Sequence, residues 1–338
     1  MVNLALIGTG NWGRNVVRNF AQLRTARLKY CCDLEESRLA PLRAQYPATE
    51  FTTDLDKVFG DPEIQAIGVT ASAAAHHPLG MRALRAGKHA YIEKPLALST
   101  AQARELVAEA EKRQLRLMVG HLLLYHPAVA MLKKVVDSGE LGEIYYIYAQ
   151  RVNLGIIRRD ENALWSLAPH DISVALHLFG DQASSVSARG SCYIQPGAKV
   201  EDVVFANVEF PGGRMLNLHV SWLDPHKIRR ITVVGSKKMA VFDDAEGPEK
   251  LRVYDKGVQK PSYESYGDLL TLRYGDIHIP HVPMTEPLKI ECEHFVECVE
   301  KNKPPLTDGR SGLAVVQVLE AADRSLKLDG APVPIDAA

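Results

Sequence analysis

The 338-residue chain has little that would tie it to a charged polymer, an oxidising compartment or a bilayer. Its 40 Lys and Arg nearly cancel 41 Asp and Glu, giving a formal net charge of −1. There is no long basic run and no acidic tail, so electrostatics gives no reason to expect nucleic acid or a membrane surface as partner. No apolar stretch approaches the roughly 20 residues needed to span a bilayer. The first apolar run is broken at Gly8 with no basic region before it, and no signal peptide is expected. Five cysteines are present, none in a CxxC pair. Cys31 and Cys32 adjoin on an expected buried strand, whereas Cys192, Cys292 and Cys298 are scattered. This argues against a disulfide framework and for small apolar residues in a reducing, cytoplasmic setting. His76-His77 lies in an Ala-rich, loop-like stretch, and adjacent histidines rarely share one metal, so no metal is expected. Internal repeats and low-complexity tracts are absent. The length suggests two domains with room for a sizeable core.

What is there begins at the N-terminus. The apolar run Asn3–Ile7 leads directly into Gly8-Thr9-Gly10-Asn11-Trp12-Gly13, and Trp12, Val16, Val17, Phe20 and Leu23 then recur at helical spacing. Strand, glycine turn and helix start in that order form a dinucleotide-binding fingerprint. One glycine makes the tight turn, one admits backbone to a pyrophosphate, and one lets helix pack close on strand. The helix N-terminus offers free N–H groups to the phosphates. A second strand, Leu28–Cys32, ends in Asp33, about 20 residues past the last glycine, where a carboxylate binds the adenosine ribose hydroxyls. Its charge opposes a 2′-phosphate, which favours NAD over NADP. Arg38 keeps NADP open as the alternative.

Short apolar runs alternate with helical segments up to about Gly120. Strands are expected over Ile64–Thr70, His89–Ile92 and Leu115–Val119. Helices are expected over Pro78–Ala86 and Thr100–Arg113, the latter capped by Ser99 or Thr100. This alternation implies an α/β, doubly wound parallel sheet. The pattern then changes. A helix over Pro127–Asp137 precedes strand-like runs at 144–152, 186–191, 203–210, 215–222, 230–234 and 239–242, with Pro211-Gly212-Gly213 as a hairpin turn. A helix over Asp171–Leu178 interrupts them, and two helices, 286–300 and 311–326, close the chain. The second domain is thus α+β with a large, mostly antiparallel sheet. The expected division is 1–121 and 122–338. Residues 246–282 show little periodicity and read as a long excursion.

Glu93-Lys94-Pro95 follows the strand at His89. Ligands of parallel sheets bind at the carboxyl ends of strands, and a lysine in a partly closed cleft there can shuttle a proton. Together with GTGNWG at 8–13, ALRAGKHAYIEKPLALS at 83–99, LMVGH at 117–121 and WSLAPHDIS at 165–173, the chain resembles the glucose-fructose oxidoreductase / inositol dehydrogenase / MocA oxidoreductase family over essentially its whole length. RVNLG at 151–155, SWLDPHKIRR at 221–230, VVGSKKMAVFDD at 233–244 and EPLKIECEHF at 286–295 are similar to its UDP-N-acetylglucosamine and UDP-N-acetylglucosaminuronate 3-dehydrogenase branch. The resemblance implies an N-terminal Rossmann domain, NAD as cofactor, and hydride transfer from a sugar hydroxyl. It also implies catalysis by Lys94 and His170, and a cofactor lined by Gly8, Gly10, Asn11, Trp12, Gly13, Asp33, Ser72, His76, Glu93 and Lys94. Either His170 or Lys94 takes the hydroxyl proton; sequence leaves both roles open. Many members carry an Asp four residues before the His, where this chain has Ser166. A hydroxyl cannot stabilise an imidazolium as a carboxylate does, which keeps open a weakly catalytic NAD-binding sensor. Ala71-Ser72 stands where many relatives have Thr-Pro.

A small-molecule sugar or nucleotide-sugar is the expected partner. A diphosphate calls for cations, and Arg158, Lys227 and Arg229 are the candidates, against the plainer reading of solvated surface. Asn153 is placed to bind sugar hydroxyls or to form a turn. Tyr125 is placed to line the cleft or to pack between domains. Ser166 and Asp171 complete the substrate side, with a helix cap as the plainer reading of Asp171. A rival reading is a free-sugar, inositol or other polyol dehydrogenase. An open apolar sheet face is expected to be covered by another copy, as a homodimer or homotetramer.

Overall fold

The computed structural model describes residues 1–155, 157–159, 161–198, 200–259 and 271–335. It divides into two compact units, one comprising Met1–Tyr125 with Thr285–Gln317, the other His126–Met284 with Val318–Ala338.

The first unit runs β1 (Val2–Ile7), α1 (Gly13–Gln22), β2 (Ala26–Cys32), α2 (Glu36–Arg43), β3 (Glu50–Thr52), α3 (Leu55–Gly60), β4 (Ala66–Val69), α4 (Ala73–Arg85), β5 (His89–Glu93), α5 (Thr100–Lys112) and β6 (Leu117–Gly120). Its six strands are all parallel, in the order β3-β2-β1-β4-β5-β6. The order reverses beside β1, so the ends of β1 and β4 flank the crevice in which such sheets bind ligands. The inner strand β4 is apolar on both faces, with Ala66–Val69 wholly buried, as expected where helices cover both sides.

The second unit holds α6 (Pro127–Asp137), β7 (Ile144–Val152), α7 (Ala163–Phe179), β8 (Ser185–Ser191), β9 (Val203–Glu209), β10 (Met215–Ser221), β11 (Ile228–Gly235), β12 (Met239–Asp243), β13 (Leu251–Gln259) and β14 (Thr271–His278). After it come α8 (Pro287–Glu300), α9 (Gly309–Lys327) and β15 (Val333–Pro334). Nine strands form one sheet in the order β14-β13-β12-β11-β7-β10-β9-β8-β15. It is antiparallel except for β7 and β10, which run parallel. Alternation along β9 and β10 buries Val204, Ala206, Val208, Leu216, Leu218 and Val220 on one face, against which α7 packs.

Five expectations are corrected. Thr285–Gln317 groups with the first unit, not the second, because Leu288, Cys292, Phe295 and Val296 of α8 enter the core around Phe20 and Tyr91. Helix α4 starts at Ala73, so His76 and His77 are helical; three alanines favour helix, and Pro78 forfeits only one early intrahelical bond. Helix α7 starts at Ala163, capped by the Asn162 side chain accepting from the Trp165 N–H at 3.1 Å. Asp171 therefore lies inside the helix and caps nothing. Leu251–Gln259 and Thr271–His278 form an antiparallel pair within the supposed excursion; β14 is exposed on nearly every residue, so no apolar alternation announces it. Residues 260–270 of that stretch lie outside the described residues. Finally α2, β3 and α3 occupy a segment for which no element was expected.

Candidate active site

The glycine turn is held from both sides. Gly8 has φ +98° and donates its N–H to the Cys32 carbonyl at 2.8 Å, while its own carbonyl accepts from the Thr70 hydroxyl at 2.5 Å. A Cβ on Gly13 would stand 2.2 Å from that Gly8 carbonyl oxygen, so only glycine lets α1 begin this close to β1. At Gly10 the space is open, with Arg38 Nη1 nearest at 3.7 Å. The turn is thus rigid at Gly8 and Gly13 and accessible at Gly10, which fits backbone cradling a pyrophosphate. Asn11 is exposed.

Asp33 ends β2 with its carboxylate nearly buried. Oδ2 accepts from the Thr9 N–H at 2.7 Å and hydroxyl at 3.0 Å, and Oδ1 accepts from the Glu35 N–H at 3.0 Å. Glycine turn and carboxylate are therefore one bonded unit. Arg38 is engaged by Glu35 at 2.5 Å.

Glu93 is buried at the end of β5 and accepts the Trp12 indole N–H at 2.6 Å, which ties the turn to the Glu93-Lys94-Pro95 corner. The Lys94–Pro95 peptide is cis. His76 Nδ1 and Nε2 contact the Pro95 carbonyl at 2.7 Å and the Ala71 carbonyl at 3.2 Å, and burial lowers its pKa. Ser72 precedes α4 with extended backbone. Gly8, Asp33, Trp12, Ser72, His76, Glu93 and Lys94 thus gather at the carboxyl ends of β1, β2, β4 and β5.

Sequence reasoning missed three groups here. His121, just past β6, is wholly buried, and neither ring nitrogen has a hydrogen-bond partner. Burial, with the Lys94 charge second, drives its pKa down to about 3. Tyr91 and Glu291 are buried beside Glu93, the Tyr91 hydroxyl lying 2.9 Å from Glu93 Oε1 and 3.3 Å from Glu291 Oε2. An acid on the buried face of α8 carries no sequence signal, because its partners are about 200 positions away. Tyr125 belongs to the first unit's core, its hydroxyl 2.9 Å from that of Thr307.

In the second unit, Ser166 and His170 lie one turn apart on α7, with Ser166 buried and His170 half-buried. Asp171 is committed elsewhere: both its oxygens accept from the Arg151 guanidinium, at 2.8 and 2.9 Å, with the two side chains buried. This bidentate pair was not foreseen, although Arg151 opens the quoted RVNLG. Asn153 follows β7 and donates its N–H to the Ser221 carbonyl at 3.2 Å. Arg158 pairs with Glu161 at 3.0 Å and Arg229 with Asp244 at 3.4 Å. Lys227 is exposed. Among the described residues there is no His, Cys, Asp and Glu cluster able to hold a metal, and no helix long and apolar enough to cross a membrane.

A parallel sheet with a glycine cradle and a carboxylate at the next strand end defines a dinucleotide-binding Rossmann unit. The model of the Gfo/Idh/MocA oxidoreductase family, NAD-binding Rossmann fold, matches residues 2–121, and that of the Gfo/Idh/MocA C-terminal domain matches residues 129–241. The chain belongs to this family. It is 24% identical to scyllo-inositol 2-dehydrogenase (NAD(+)) of Bacillus subtilis over 99% of this chain and 96% of that protein. It is 25% identical to UDP-N-acetylglucosamine 3-dehydrogenase of Acidithiobacillus ferrooxidans over 92% and 93%. The solved aldose-aldose oxidoreductase of Caulobacter crescentus shares the fold, with TM-score 0.83, 21% identity, and 98% and 99% of the chains covered. The protein is an NAD-dependent oxidoreductase.

Proposed function

We propose that the protein oxidises a sugar hydroxyl, position 3 of a UDP-N-acetylhexosamine or its uronate, in the cytoplasm. The carrying observation is the bonded array Asp33–Thr9, Trp12–Glu93 and Glu93–Lys94, around a turn in which Gly13 packs against Gly8, which joins the cofactor turn to Lys94. NAD held there supplies a hydride acceptor. Gly10 and the α1 N-terminus present N–H groups to the pyrophosphate, and Asp33 meets the ribose hydroxyls. Ser72 and His76 line the same strand ends. Lys94 and His170 handle the hydroxyl proton, one holding the oxygen and the other taking the proton. Ser166 stands one turn from His170 in place of a carboxylate and gives it a hydroxyl rather than a charge.

The ion pairs of Arg158 with Glu161 and Arg229 with Asp244 favour a second reading, a free sugar or polyol as substrate, because those guanidiniums already have carboxylates. Asn153 then serves sugar hydroxyls in either case.

Absorbance of NADH separates the two. Formation with UDP-N-acetylglucosamine or its uronate, abolished by Lys94→Ala while NAD binding persists, is the expected result. NADH with inositol or glucose alone moves the substrate to the second reading. Silence with the whole panel in a protein that binds NAD defeats both substrate readings.

A further inference from the structure

Glu93, Tyr91 and Glu291 form a buried row with two carboxylates and one hydroxyl. The donors and acceptors can be counted. Three groups able to donate meet the Glu93 carboxylate: the Trp12 indole N–H at 2.6 Å and Tyr91 hydroxyl at 2.9 Å on Oε1, and the Lys94 backbone N–H at 3.2 Å on Oε2. The Tyr91 oxygen can accept from either acid, but the Trp12 and Lys94 N–H groups only donate and both meet Glu93, whereas the second oxygen of Glu291 has no partner, so the negative charge belongs on Glu93. The single Tyr91 proton is then committed to Glu93 across the shorter contact. Glu291 Oε2 still lies 3.3 Å from the Tyr91 oxygen, and two lone-pair oxygens do not sit side by side in a buried site without a proton. That proton is on Glu291. Its other oxygen has no partner, as a neutral acid tolerates better than an anion. Gly120 closes the row: a Cβ there would stand 2.9 Å from both the Glu93 carboxyl and the Tyr91 hydroxyl.

We propose that Glu291 is a positioning residue of the cofactor site: as a neutral acid it donates to Tyr91, which turns the Tyr91 hydroxyl onto Glu93 and leaves the row's one negative charge on Glu93, beside Lys94 and under Trp12. An anionic carboxylate accepts the Trp12 N–H more strongly than a neutral acid does, so the Glu93–Trp12 contact is strongest when Glu291 holds the proton and anchors Tyr91. The proposal rests on the assignment of the glycine turn and Glu93 to the cofactor.

The test uses the full-length protein and needs no substrate. Infrared spectra at neutral pH are compared for wild type and Glu291→Gln; a protonated-carboxyl band present in the first and lost in the second is expected. Superimposable spectra in that region overturn the proposal. With indole nitrogen labelling, and Trp12→Phe to assign the signal, the Trp12 N–H resonance is expected to stay in place in Glu291→Gln, whose amide still donates, and to move in Glu291→Leu. NAD affinity by calorimetry should follow, falling about tenfold in Glu291→Leu and staying within about twofold of wild type in Glu291→Gln. Equal effects of the two variants on Trp12 would also overturn it. Wild-type protein that shows the infrared band but does not bind NAD would refute the cofactor assignment instead.

Discussion

Lys94, Glu93 and His121 lie within a few residues of the ends of β5 and β6, and burial acts in opposite directions on the pKa values of Glu93 and His121. Burial raises the Glu93 pKa, and the donors on its carboxylate, Trp12 first, oppose that rise. His121 has none, and its pKa falls to about 3. The unfolded chain binds a proton on this histidine below about pH 6.5, whereas the folded chain does not until about pH 3. His121 therefore supports the fold fully above pH 6.5 and withdraws that support as the pH falls towards 3. Between pH 7 and 5 the loss amounts to about 2 kcal/mol. Buried His76 and half-buried His89 add to the same slope. Denaturant unfolding of His121→Phe should show a visibly shallower decline between those pH values than wild type. An unchanged decline would show that His121 is solvated.

At the scale of elements, the buried Arg151–Asp171 pair fastens α7 to β7. Two bonds at 2.8 and 2.9 Å hold a helix that carries Ser166 and His170. Arg151→Ala leaves a buried carboxylate without its cation, and a loss of about 3–5 kcal/mol is expected in chemical denaturation. The double variant Arg151→Met, Asp171→Leu should recover much of it, because two apolar side chains pay no desolvation cost. Recovery failing in the double variant would mean the pair does more than balance its own charges. The same pair explains why Asp171 is a poor candidate for substrate: both of its oxygens are occupied.

On the scale of the whole molecule, the nine-stranded sheet exposes alternate residues of β7, β9 and β10 among the described residues. Tyr146 and Tyr148 stack along β7 with ring centroids 6.3 Å apart, and Phe205 stacks on His219 at 4.3 Å. Phe205 is 52% exposed and Met215 38%. Apolar patches of this kind mark interfaces, and a second copy of the chain is the proposed cover, as a dimer or tetramer. Light scattering at micromolar concentration should report more than one chain, and Tyr148→Lys with Phe205→Lys should shift the mass towards a monomer. A wild-type monomer would count against the proposal.

Much of the first unit was legible because its signals are local. A glycine turn between an apolar run and a helix face, then Asp33 at the next strand end, lie within one βαβ span, so order along the chain is enough to define a Rossmann unit. The antiparallel second sheet was legible for a similar reason, since period-two alternation survives wherever one face is buried. The signal failed where neither face was apolar, as in β14, and where a helix ran through proline, as in α4 and α7. The sequence by itself determined the cofactor cradle, the fold class and the family. Only the tertiary structure decided which charges are available. It matched Arg151 to Asp171 across 20 residues and Glu291 to Tyr91 across 200, and it brought α8 into the first unit's core. Burial and pairing depend on neighbours distant in sequence, and no local pattern records them.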